Sequence, residues 1–169
     1  MESNSISYRT GDRPQTTKSN PHQQLNQFPP PQIIGELHEF IATLSNITEG
    51  ASKISTPGTQ AFFLSGCRHK GFGEGFIIDN EFVHIHPLPD GSLHLVLPEA
   101  EGKIMVEKKW GEPHVLAGQY GLPGTIYMLY APRNTEELEI AKHFVYLGYQ
   151  YAKENAGNAA SFSISTEIL

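Results

Sequence analysis

Three histidines, His84, His86 and His94, have the spacing that most directly suggests chemistry. They lie in Glu81-Phe-Val-His-Ile-His-Pro-Leu-Pro-Asp-Gly-Ser-Leu-His-Leu-Val-Leu97, two alternating runs around a Pro-Asp-Gly turn, the pattern of a β-hairpin. Burying Val83, Ile85, Leu93, Leu95 and Leu97 together requires these odd-numbered positions to be cross-strand neighbours. The even-numbered positions then share the opposite face, Phe82, His84 and His86 on one strand, Ser92, His94 and Val96 on the other. Three imidazoles so placed could hold a transition metal, because neutral imidazole suits Zn, Fe, Cu or Ni and a His-x-His pair aims two ligands at one point. They could equally move protons at, or orient, an oxidisable or hydrolysable substrate. The plainest alternative is a hydrogen-bonded polar face that only tolerates histidine. By alternation Glu81 falls on the other face, which makes it a weak fourth ligand.

Two further stretches carry candidates. Lys109-Trp-Gly-Glu-Pro-His-Val-Leu-Ala-Gly118 holds the single Trp and sets Trp110, Glu112 and His114 on a loop punctuated by Gly and Pro. Trp110 is expected to wall a substrate pocket or to plug the core, and His114 to join the hairpin histidines or to bond backbone. Tyr130-Ala-Pro-Arg-Asn134 joins a strand to a helix, so Arg133 could clamp a carboxylate or enolate, or brace the turn against Glu136 or Glu137. Gly71-Phe-Gly-Glu-Gly75 lacks the Lys and Ser of a phosphate loop, and Cys67 has no predicted base. His22, His38 and His143 form no constellation by sequence.

Several elements must position these groups. Residues 1–32, with prolines at 14, 21 and 29–31, show no periodicity and read as an extended N-terminal arm. Ile33, Ile34, Leu37, Phe40, Ile41, Leu44 and Ile47 give an apolar stripe that predicts a helix from about 35 to 47, followed by a loop over 48–60. Short β runs are expected at 61–64, 76–78, 82–86, 93–97, 104–107 and 125–130, and their close spacing favours antiparallel pairing. Asn134 is a plausible N-cap, with Leu138, Ala141, Val145 and Tyr149 forming a second helical stripe toward Lys153 and Gly157 as a stop signal. The expected architecture is α+β, an antiparallel sheet with two main helices packed on one face. The expected domain spans 33–158, and the tail 159–169 has too little pattern to assign.

A chain of 169 residues fits one domain, and 18% charged residues against 38% hydrophobic ones suit a folded protein. A net charge of -6 argues against nucleic acid and anionic membranes as partners, since both demand a basic patch. One cysteine permits no intrachain disulfide, and the N-terminus has no signal-peptide pattern, so the expected address is cytoplasmic. No run nears the ~20 apolar residues of a spanning helix. An exposed edge strand would be able to support a homodimer.

The stretch Glu81–Tyr151 resembles the luciferase-domain family of small α+β proteins. The resemblance rests on Glu81-Phe-x-His-x-His86, Asp90-Gly-Ser-Leu-His-Leu95, Trp110-Gly-Glu-x-His114 and Tyr130-Ala-Pro-Arg-Asn134, with Pro21-His-Gln-Gln-Leu25 in the arm. It implies addition of molecular oxygen to a hydroxylated α-pyrone, loss of carbon dioxide from a peroxide and emission of light. It further implies that His84, His86, His94 and His114 do the acid–base work, that Arg133 holds the anion, and that Trp110, Glu112 and Tyr130 bind substrate. The functional expectation is a luciferase-like, oxygen-dependent enzyme acting on a small enolic, aromatic or hydroxypyrone molecule through a histidine cluster, with His84, His86 and His94 as candidate metal ligands. The alternative is a non-catalytic small-ligand or metal-binding protein.

Overall fold

The apolar odd-numbered positions of the hairpin decide which face of the sheet the helices cover. The computed structural model describes residues 5–157. In chain order its elements are α1 (Pro31–Ala42), β1 (Ile47–Ala51), β2 (Gln60–Leu64), β3 (Glu81–Ile85), β4 (Leu93–Val96), α2 (Glu99–Glu107), β5 (Gly111–Pro113), β6 (Ile126–Leu129) and α3 (Thr135–Asn155). The strands form one antiparallel sheet in the order β1-β2-β3-β4-β6-β5, so the fold is α+β as expected. Val83 pairs with Leu95, His84 with His94 and Ile85 with Leu93, the register that the apolar pattern demanded.

One large core joins Val83, Ile85, Leu93 and Leu95 to Leu37 and Ile41 of α1, Met105 of α2, and Leu138, Phe144 and Val145 of α3. Each fully buried Leu, Val or Phe in it contributes about 1.5–3 kcal/mol. The opposite face has only a small apolar cluster, Ile77, Val96 and Ile126. That leaves this second face for polar chemistry. Asn134 caps α3 as its position implied, its side chain accepting the Glu137 N–H at 3.0 Å.

Four local expectations are corrected. The run Ile104–Glu107 is the end of helix α2, not a strand: Glu99 and Glu101 in the first turn favour a helix, and Gly102 and Met105, three residues apart, form its buried side. Among the described residues this short helix joins the two main ones that were expected. Helix α1 starts at Pro31 and ends at Ala42, because proline is pre-set for the first turn and Ile33, Leu37 and Ile41 alone make the buried stripe. The expected helix end and loop give way to β1, a half-exposed edge strand whose residues carry almost no pattern. Phe76–Ile78 makes only isolated bridges, although Phe76 enters the main core and Ile77 the other face as strand residues would. The tail from 159 lies outside the described residues.

Residues 5–30 hold no α-helix or paired strand, yet they are packed. Thr16 and Gln24 bridge, Ile6, Arg9, His22 and Gln24 are buried, and the Gln24 amide donates to Asp90 Oδ2 of the hairpin turn at 3.3 Å. Arg13 donates to the Gly111 carbonyl at 2.8 Å, so the arm also covers the β5 edge. No described helix is long and apolar enough to cross a membrane.

Candidate active site

Cross-strand register places the site. His84, His94, Met128 and Glu112 are successive partners across β3, β4, β6 and β5, so they form one row on the face away from the helices. His86 lies one strand step from His84, His114 follows β5, and the arm brings His22 over the row. His94 is the hub: the rings of His114, His86, His84 and His22 lie 4.4, 4.6, 5.0 and 5.3 Å from it, centroid to centroid. All five are buried.

Glu81 overturns the alternation argument. Its Oε1 is 2.6 Å from His84 Nδ1, on the histidine face. The cause is a β-bulge: Phe62 pairs with Val83 but Phe63 pairs with Glu81, so Phe82 is an extra residue. Phe82, expected beside the histidines, therefore packs in the main core against Tyr149. Ser52 also donates to Glu81 Oε1, at 3.0 Å.

Carboxylates set the tautomers. His84 Nδ1–H donates to Glu81, His86 Nδ1–H bonds Ser92 Oγ at 3.1 Å with Asp90 Oδ2 also 3.1 Å away, and His22 Nε2–H donates to Glu112 Oε1 at 2.8 Å. Asp90 is itself fixed by the Ser92 N–H at 3.0 Å and the Ser92 hydroxyl at 2.6 Å. These bonds leave His84 Nε2, His86 Nε2 and His22 Nδ1 without protons. His94 Nδ1 is 3.1 Å from His84 Nε2, and both His94 Nε2 and His22 Nδ1 are buried with no hydrogen-bond partner. His114 differs, because its Nδ1 accepts the Leu116 N–H at 3.1 Å and the ring proton is left on Nε2.

Burial, and then the neighbouring imidazoles, push the His94 ring well below its usual range. Burial and the charges of His22, His84 and His86 bring His114 down to about 4. Burial also lowers His84, although Glu81 opposes the shift. Burial alone would raise the Glu112 carboxyl, but hydrogen bonds from His22, Thr16 and Tyr130 outweigh it and hold the group at about 2. Thus Glu112 is a fixed anion behind His22, next to the depressed rings of His94 and His114.

The five histidines line a cavity of about 410 Å³, within the usual range for small-molecule sites. Ile77, Leu116, Leu122 and Ile126 give it apolar walls, and Phe72 stands at its side. Two overlapping triads have ligand nitrogens close enough to share an ion, His84/His86/His94 and His22/His94/His114, all within 4.8 Å in each set.

Of the residues expected from sequence, His84, His86, His94 and His114 are brought together, and four others are not brought to the cavity. Trp110 sits in the main core and donates from Nε1 to the Ser7 carbonyl at 2.8 Å. Tyr130 is fully buried, with its hydroxyl on Glu112 Oε2 at 2.8 Å and burial pushing it up to about 12. Glu112 acts on His22 rather than lining the cavity. Arg133 braces the start of α3, donating from Nε to Glu137 Oε1 at 2.9 Å and from Nη2 to the Thr10 carbonyl at 3.0 Å. Sequence reasoning missed His22, Glu81 and Asp90. The one signal for His22 was its place in Pro21-His-Gln-Gln-Leu25.

Comparisons with known proteins find similarity to one family of sequences. Residues 79–148 match the luciferase domain. The luciferase of Armillaria gallica is 30% identical over 161 residues, covering 81% of this chain and 57% of that protein. The luciferases of Armillaria mellea and Neonothopanus nambi are each 43% identical over 68 residues, 38% of this chain and 25% of theirs. No solved structure matches. Residues 79–148 thus match the luciferase domain, and the wider similarity to the Armillaria gallica protein supports a place in that family. It spans little more than half the length of the Armillaria gallica relative and a quarter of the other two.

Proposed function

We propose that the chain is an oxygen-dependent enzyme that oxidises a small planar enol of the hydroxypyrone type in the five-histidine cavity. The observation that carries this reading is the convergence of proton-free imidazole nitrogens, their tautomers set by Glu81, Asp90 and Glu112, on a cavity with apolar walls. A bare nitrogen accepts the enol proton, and the His114 Nε2–H donates to the enolate oxygen. That donor role was expected of Arg133, which is engaged elsewhere. Ile77, Leu116, Leu122 and Ile126 keep water from the electron-rich ring.

With the enolate formed, its π electrons pass to dioxygen as one carbon–oxygen bond closes, leaving a peroxide that takes back the proton from the histidine. In a pyrone the outer peroxide oxygen attacks the lactone carbonyl and displaces the ring oxygen, which takes the proton, and cleavage of the O–O bond and of the carbon–carbon bond beside that carbonyl releases carbon dioxide. The names of the fungal relatives support this chemistry class. The test is product stoichiometry with a hydroxylated α-pyrone: one dioxygen consumed and one carbon dioxide released per pyrone supports the enzyme. Saturable pyrone binding with neither gas exchanged would make the protein a binding module.

A further inference from the structure

We propose that His84, His86 and His94 hold one divalent first-row transition ion, a deepening that takes the enolate-binding reading above as its basis. The first ground is the direction of the lone pairs. His84 gives its Nδ1–H to the buried Glu81 carboxylate, and His86 Nδ1 stands 3.1 Å from both Ser92 Oγ and Asp90 Oδ2, which leaves Nε2 of each ring as the acceptor atom. Carboxylate–histidine pairs of this kind orient metal ligands and raise their basicity. His94 Nε2, buried and without a partner among the described residues, is free to carry that ring's proton and so release Nδ1 as a ligand.

The second ground is spacing. Transition ions sit about 2.0–2.1 Å from imidazole nitrogen, so two ligands on one ion lie about 3.0–3.4 Å apart. His84 Nε2 and His94 Nδ1 are 3.1 Å apart, and all three rings present a nitrogen within 4.8 Å of the others. These rings stand on adjacent central strands, His84 directly opposite His94, the rigid placement that a metal site needs.

The third ground is charge. None of the residues lining the cavity is Lys or Arg, so an enolate bound there meets the His114 N–H but no permanent side-chain cation. An ion on the three histidines supplies that positive charge. Three neutral imidazoles select Zn, Cu, Ni, Co or Fe over Mg and Ca, which demand oxygen ligands.

The competing triad, His22/His94/His114, is the weaker set. His114 already accepts the Leu116 N–H at Nδ1, which leaves the ring proton on its other nitrogen, and His22 comes from the irregular arm.

The test uses untagged full-length protein. Its metal content is measured by elemental mass spectrometry. The chelator-stripped protein is then titrated with Co(II) alone, read by visible d–d absorption, with circular dichroism confirming the fold of each variant. The expected result is saturation at one Co(II) per chain, with affinity reduced more than about 100-fold in His86→Ala and His94→Ala and little changed in His22→Ala. His86→Gln and His94→Gln, closer in volume, serve where an alanine variant does not fold. Folded wild-type protein that binds no Co(II), or binding unchanged in the His94 variants, overturns the site. Loss in His22→Ala with retention in His86→Ala overturns the ligand assignment. Metal bound without oxygen uptake refutes the enzyme and leaves the ion, whereas uptake that survives complete stripping refutes the ion and leaves the enzyme.

Discussion

Glu81 Oε1 lies 2.6 Å from His84 Nδ1, a contact between residues three apart that an unbroken strand would send to opposite faces. The bulge at Phe82 makes it possible, and two functions follow from one irregularity: Phe82 joins the core and Glu81 fixes the His84 tautomer. Glu81→Gln can offer either an N–H or a carbonyl to Nδ1, so the tautomer is no longer set. Oxygen uptake should fall by about 10- to 100-fold in a protein that still folds. Glu81→Ala should in addition lose about 1–3 kcal/mol in chemical denaturation, because the buried His84 N–H and the half-buried Ser52 hydroxyl lose their acceptor.

Trp110 is tied to the arm, not to the cavity. Trp110→Phe keeps the ring in the core and removes the bond to the Ser7 carbonyl. The expected outcome is a loss of about 1 kcal/mol in stability with KM for a hydroxypyrone unchanged. A raised KM at unchanged stability would return Trp110 to the substrate.

The Glu137 carboxylate should make stability depend on pH. Burial alone would raise its pKa, but hydrogen bonds from the Arg133 side chain and N–H, with the Arg9 charge beyond, bring it below the usual range. A carboxyl depressed in the folded state contributes stability above its unfolded pKa of about 4.3, and that contribution is lost as pH falls through the folded value. Glu137→Gln should therefore cost about 1.5–3 kcal/mol at pH 7, and the gap to wild type should close as denaturation is repeated below about pH 4. A gap independent of pH would contradict this.

Gly111 has no room for a side chain. A Cβ there would stand 2.3 Å from the Met128 carbonyl oxygen and 2.7 Å from Met105 Cε. Gly111→Ala should push β5 from β6 and cost about 1–3 kcal/mol in a thermal melt. Since β5 carries Glu112, it should also loosen the hold on His22.

How much of this could be read from sequence follows from the range of the interactions. The hairpin register was legible because five apolar side chains had to share one face, and His84 opposite His94 follows from that alone. His114 joined the cluster as its motif suggested. Glu81 was misplaced because a bulge adds a residue without altering the local pattern. His22 stands 72 positions before His94, in an arm without periodicity, and no local rule reports a contact set by tertiary packing. Trp110 and Arg133 are polar or aromatic residues on connecting segments, where their types alone do not separate brace from binder. Ile104–Glu107 was too short an apolar run to tell helix from strand.

The most direct measurement is dioxygen consumption by purified protein supplied with a hydroxylated α-pyrone, with His94→Ala run beside it and its fold checked by circular dichroism. His94 is the hub of the cluster, so the account predicts substrate-dependent uptake by wild type and a loss of at least about 100-fold in a folded His94→Ala variant. Equal uptake by the two proteins would contradict the account, because the histidine cavity would then not be where the chemistry occurs.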